Sequence, residues 1–228
     1  MFSASSSPSS GSSSSGFYQT RLPTAIPWCK IAYWEQRKRI GRLFEVRDNN
    51  INIFEDLPQG DGFCLALLSD EERDVTKRVR RHIGHGFQLT REEDGIWLYN
   101  RSQYVLFTGS PTIQLESIEQ TNPVVKRIPS GCSIKVIDPE LMSQLRIRQQ
   151  EKRPGTTHCI RVSFAKGWGE NYTRMSITSC PCWVEIRLND EFLWNIFYIF
   201  GTLHMKLIMA DVFFSWLVRR MLCACFCS

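Results

Sequence analysis

From Trp28 to Leu188 the hydrophobic positions recur mainly with a period of two. "INIFEDL" sets Ile51 and Ile53 on one face, "HCIRVSF" does so with Ile160, Val162 and Phe164, and "CWVEIRL" with Val184, Ile186 and Leu188. Successive side chains of an extended chain point to opposite sides, so this alternation marks strands with one buried face. "GIWLYN" and "QYVLFTG" add two short aromatic and β-branched segments. Gly, Pro, Asn and Asp punctuate the run at short intervals, and the spacing predicts an antiparallel β-sandwich.

Two segments break that period. "SDEERDVTKRVRRHIG" opens on Ser69 as N-cap with Glu72 three residues later, the reciprocal arrangement that satisfies two orphan amides of a first helical turn. Val75, Val79 and Ile83 then recur every four residues, and Gly84 can close the helix. "DPELMSQLRIRQQEKRPG" has Asp138 as cap and Pro139 at the first helical position, and stops at Pro154-Gly155. The expected fold is therefore mainly β, a sandwich with helices at its edges and no internal repeat.

The chain divides into three parts. Residues 1–27 form a Ser-rich segment with almost nothing to bury, expected to be disordered. Residues 28–190 carry the globular pattern. Residues 191–228 are strongly hydrophobic, but Lys206 and Asp211 interrupt them, each costing about 2.5–3.5 kcal/mol at a membrane-helix centre. The apolar runs Phe192 to Leu203 and Leu207 to Ala210 fall short of the ~20 residues that span a bilayer. Non-native translation, from non-coding sequence or an alternative exon, is the preferred reading of this tail, ahead of a terminal helix or direct membrane association.

Composition narrows the function. The charge of +5, from 28 Lys and Arg against 23 Asp and Glu, is below that of dedicated DNA-binding domains and points to a local basic patch for an acidic or phosphorylated partner. Nine cysteines with no signal peptide suggest a reducing compartment, with Cys29, Cys64, Cys132 and Cys159 as buried thiols. Cys180 and Cys182 are spaced to share one strand face, and Cys223, Cys225 and Cys227 repeat the spacing. Structural zinc needs wider couples in pairs, so no metal is expected. There is no Walker loop, His-Glu-x-x-His or Gly-x-Ser-x-Gly, and the histidines at 82, 85, 158 and 204 are dispersed. "GHG" and "GWG" are only fragments of a nucleotide fingerprint. A non-enzyme without cofactors is expected.

In the first helical segment Asp70, Glu71, Glu72 and Asp74 precede Lys77, Arg78, Arg80, Arg81 and His82. A helix macrodipole favours this order with no ligand, so alone it reads as a solvated helix. A second cationic element beside it would turn it into an anion site.

"FAKGWGENYTRMSITSCPCWVEIRLN", with "VRRHIGHGFQLTREEDGIWLYNRSQYVLF" and "WCKIAYWEQRKRIGRLFEV", resembles the C-terminal Mad-homology domain of the Smad proteins from Trp28 to about Asn189. "QLTREEDGIWLYNRSQY" and "SITSCPCWVEI" look most like the inhibitory branch. The resemblance implies a β-sandwich related to forkhead-associated domains, with a small three-helix bundle at one end and a loop-helix region at the other. It implies that Lys166 to Arg174 is the exposed third loop, in which Gly167 and Gly169 permit a tight path, Trp168 anchors the loop against the sandwich, Tyr172 belongs to the same binding site, and Lys166 and Arg174 flank the open mouth. A basic groove would join these to Arg78, Arg81 and His82, the last standing where a lysine is expected.

The implied ligand is the phosphorylated segment of an activated type I receptor for transforming growth factor β or bone morphogenetic protein. Receptor-activated and common-mediator Smads are the other implied partners, in cytoplasm and nucleus. The chain ends "CACFCS" rather than Ser-Ser-x-Ser, shows no N-terminal Mad-homology module and holds no Pro-Pro-x-Tyr. Direct DNA binding is not expected, and membrane contact only through the receptor. The expected role is an antagonist that blocks phosphorylation of receptor-activated Smads; the alternatives are a nuclear regulator binding activated Smads or corepressors, or a membrane-associated truncated product.

Overall fold

The computed structural model describes residues 26–68, 74–115, 124–143 and 159–189. Among them the strands are β1 (Cys29–Glu35), β2 (Lys38–Val46), β3 (Asn50–Phe54), β4 (Gly62–Cys64), β5 (Phe87–Glu92), β6 (Gly95–Asn100), β7 (Leu106–Gly109), β8 (Lys126–Ile128), β9 (Ser133–Ile137), β10 (Cys159–Phe164) and β11 (Trp183–Leu188). They build a six-stranded sheet in the order β2-β1-β11-β10-β7-β8 and a five-stranded sheet in the order β4-β3-β5-β6-β9. All pairs are antiparallel except β3 with β4, which run parallel.

The period-two positions do what the pattern predicts. Ile51, Ile53, Leu89 and Leu98 from one sheet and Ile31, Ile160, Val162, Val184 and Ile186 from the other form one buried cluster. Fully burying each such side chain contributes about 1.5–3 kcal/mol. The mainly-β sandwich stands.

The helices depart more from expectation. Within the described residues the first helix, α1, is Asp74–Arg81; Ser69 and Glu72 lie outside them. Val75 is exposed at 46%, and the buried face is Thr76, Val79 and Arg80, with Ile83 in the turn that follows. The inward stripe thus runs i, i+3, i+4, i+7 rather than by fours, as the 3.6-residue turn requires. Two tightened bonds, His82 N to Val79 O (2.9 Å) and Ile83 N to Arg80 O (2.9 Å), end the helix before Gly84 at φ +51°.

A second short helix, α2, spans Pro111–Leu115. Asp138 caps a third helical turn, its Oδ1 accepting from the amides of Glu140 (2.9 Å) and Leu141 (3.2 Å). The rest of that helical segment, residues 144–154, lies outside the described residues, as do the serine-rich segment up to residue 25 and the tail from residue 190.

The cysteine expectation needs correcting. Cys29 is buried, but Cys64 and Cys159 are half-buried and Cys132 is exposed in a turn. Cys180 caps a 3-10 turn (Ile177–Ser179), and Cys182 also precedes β11, so the two do not share a strand face. Among the described residues no group of His, Cys, Asp or Glu is arranged to hold a metal ion, and no helix is long and apolar enough to cross a membrane.

Candidate functional site

One end of the sandwich gathers the finish of β1 at Glu35, the finish of β10 at Phe164, the start of β7 at Leu106 and the start of β11 at Trp183. The segment between β10 and β11 leaves this end and folds back over the outer face of the six-stranded sheet. Ala165 opens it at φ 55°, its amide donating to Val105 O at 3.1 Å. A tight turn follows, in which Gly169 N donates to Arg174 O (2.7 Å) and Tyr172 N to Gly169 O (3.0 Å).

Trp168 is only 5% exposed, and forms a second apolar cluster with Phe107, Ile177, Cys180 and Trp183. Trp34, Val105, Val125 and Tyr172 pack against it. Trp34 stacks on Trp183 at 5.2 Å, and Tyr172 meets Phe107 edge-on at 5.3 Å. Such aromatic pairs add about 0.5–1.5 kcal/mol beyond area burial. The flanking glycines have separate reasons. A Cβ on Gly167 would lie 2.5 Å from the Tyr172 ring, so the position has no room. Gly169 sits at φ +96°, which an L side chain rarely adopts. The large ring between them is held by the sheet beneath, not by its own backbone.

Helix α1 closes the same end. Cys182 Sγ donates to Thr76 O at 3.8 Å. Arg80, though part of the basic run, points inward and is 6% exposed. Its Nη1 donates to Glu35 Oε1 (3.0 Å), and its Nη2 to both oxygens of Glu55 (2.9 and 3.0 Å) and to Leu65 O (2.7 Å). One guanidinium therefore ties the helix to both sheets, and the reading of this run as a solvated helix fails at Arg80. A buried cation persists only where its donors find acceptors.

Arg78 and Arg81 are exposed, and among the described residues their Nε atoms donate to the helix carbonyls of Asp74 and Lys77, at 3.4 and 3.5 Å. His82 stacks on Tyr104 at 4.1 Å and its carbonyl accepts from Ser102 Oγ at 2.9 Å. Because Val105 holds Ala165, this stack links the helix end to the mouth of the loop. These contacts bring α1, with Arg78, Arg81 and His82, and the opening of the loop before Lys166 to one end of the sandwich, while Gly167, Trp168, Gly169 and Tyr172 carry the loop over the outer face on its way to Arg174. Lys166 and Arg174 are half-buried, and neither is ion-paired among the described residues. Sequence reasoning missed Arg80, its partners Glu35 and Glu55, and Tyr104; a strict helical wheel would have turned Arg80 inward beside Val79.

The family model of the MH2 domain, the C-terminal Mad-homology domain, matches residues 26–189. The chain belongs to the MH2 family. Among curated MH2 relatives it is 45% identical over 168 residues to mothers against decapentaplegic homolog 6 of Gallus gallus, covering 72% of this chain and 38% of that protein. It is likewise 45% identical over 168 residues to homolog 7 of Homo sapiens, covering 72% and 39%. These are inhibitory Smads, and this chain spans about two fifths of their length.

Among solved structures, the crystal structure of the interferon regulatory factor 9 IAD domain gives a TM-score of 0.50 at 9% identity, over 82% of this chain and 95% of that one. A chain from the crystal structure of STAT2 in complex with IRF9 gives 0.50 at 10% identity, over 73% and 94%. At that identity the likeness is one of fold alone.

Proposed function

We propose that this MH2 chain is a non-catalytic antagonist in transforming growth factor β and bone morphogenetic protein signalling. It binds the phosphorylated segment of an activated type I receptor and so blocks phosphorylation of receptor-activated Smads. Arg78, Arg81, His82, Lys166 and Arg174 supply the charge, while Gly167, Trp168, Gly169 and Tyr172 fix the loop that presents it. The observation that carries the reading is the seating of the Lys166–Arg174 loop by Trp168 on the six-stranded sheet, beside the end of the sandwich that α1 closes.

The chemistry suits the ligand. Phosphoserine carries about −1.5 to −2 charges at neutral pH with strong acceptor oxygens, and each hydrogen bond to a charged group contributes about 1.5–3 kcal/mol. Two or three such bonds separate a phosphorylated segment from its unmodified form by a hundredfold or more on the same figures. A pull-down with receptor Gly-Ser segments, phosphorylated and not, is the test. The phosphorylated segment should be retained, and Lys166→Ala with Arg174→Ala should release it. Equal retention of both segments, unaltered by the double substitution, would exclude the groove as the reader.

A further inference from the structure

The β1–β2 hairpin brings a third cationic element to the same end. Its tip is a tight turn in which Glu35 pairs with Lys38 across Gln36, at φ 53°, and Arg37. This tip is wedged between the two parts already described. Glu35 accepts from Arg80 of α1 at 3.0 Å. Gln36 N donates to Cys180 O (3.2 Å) and Pro181 O (3.3 Å), and Gln36 O accepts from Trp183 Nε1 at 2.7 Å, which fixes the exit of the loop.

Arg39 lies directly across from Trp34, so the two share the outer face of the sheet. Trp34 is one of the rings packed under the loop. Arg37 and Arg39 are both exposed, and neither is ion-paired among the described residues. We propose that Arg37 and Arg39 extend the cationic surface of the loop and α1, so that the site takes a segment carrying more than one phosphate, the second phosphate being read by the hairpin. This rests on the phosphate-reading role of the groove and adds a ligand class to it. One phosphate leaves the hairpin charges unused, whereas a second dianion further along an extended segment neutralises them.

The test measures binding of the full chain to fluorescent Gly-Ser peptides bearing no, one or two phosphoserines, the two set at several spacings. The wild type should prefer one phosphate to none, and gain about another tenfold from a second at the favoured spacing, the size expected of one charge-assisted contact. Arg37→Ala with Arg39→Ala should remove only that second gain, and Arg37→Lys with Arg39→Lys should keep part of it. Unchanged thermal melting of the variants separates this loss from misfolding.

If the wild type binds all three peptides alike, the groove reading fails and this inference with it. If it separates one phosphate from none but gains nothing from a second, or if the alanine variant keeps the gain, only the hairpin's role is overturned. A loss confined to duplex oligonucleotide binding overturns it in favour of nucleic acid. Faster aggregation with all peptide affinities intact overturns it in favour of edge protection of the terminal strand β2.

Discussion

The apolar cluster between the sheets and the one beneath the loop differ in kind. The first is large and mainly aliphatic and draws on both sheets, with Ile31, Ile53, Leu89, Leu98, Val162, Val184 and Ile186 all fully buried. The second is smaller and mostly aromatic, with Phe107, Trp168 and Trp183 beside Ile177 and the Cys180 thiol on the outer face of a single sheet, closed from above by the loop itself. Opening the first means separating the sheets. Opening the second means lifting one loop. The fold and the shape of the site therefore rest on different residues, and the site can open locally at a fraction of the cost of unfolding.

That contrast can be broken by truncating one residue from each cluster. Leu98→Ala should lower global stability by about 2–5 kcal/mol, read by chemical denaturation, with the unfolding slope unchanged. Trp168→Ala should cost less than the about 3–5 kcal/mol of an enclosed tryptophan, because the loop can settle over the gap. It should nevertheless reduce phosphopeptide binding more than tenfold. Equal stability losses, or binding that survives Trp168→Ala, would merge the two clusters into one.

A smaller effect belongs to the glycines. Gly169→Ala should cost about 1 kcal/mol from its backbone angle, and Gly167→Ala about 1–3 kcal/mol from overpacking against Tyr172. Both losses should appear in hydrogen exchange of the loop while the amides of β5 and β6 keep their protection.

The smallest effect is a difference in rate at two buried thiols. Cys180 belongs to the outer cluster and Cys182 to the inner one, and both are fully buried. Burial pushes the Cys182 thiol up to about 12 and raises that of Cys180, so neither offers much thiolate at mild alkaline pH. With a thiol alkylator and peptide mass spectrometry, Cys132 should react at once in the native protein. Cys180 should react slowly through loop opening, and Cys182 only on global unfolding. Identical rates for Cys180 and Cys182 would show that the loop does not open alone.

The sandwich was legible because alternation is a local signal: Ile51, Ile53, Val162 and Val184 face inward as the pattern requires. The glycines around Trp168 marked a constrained loop, although what constrains it, Phe107 and Trp183, comes from other strands. The inward turn of Arg80 was hidden because its acceptors Glu35 and Glu55 stand 45 and 25 residues away in the chain. A charged run viewed without those partners looks solvated. The half-buried Cys64 and exposed Cys132 were misread for the same reason, since exposure at a turn is decided by what packs over it.

Glu35 and Gln36 are neighbours in the chain, yet one grips α1 through Arg80 and the other grips the exit of the loop at Cys180 and Trp183. Two adjoining peptide units thus act as a coupling rod between segments more than eighty residues apart in sequence. A ligand that steadies the helix end also steadies the loop, and the free energy passes equally in the reverse direction. A partner touching only one of them would still prime the other.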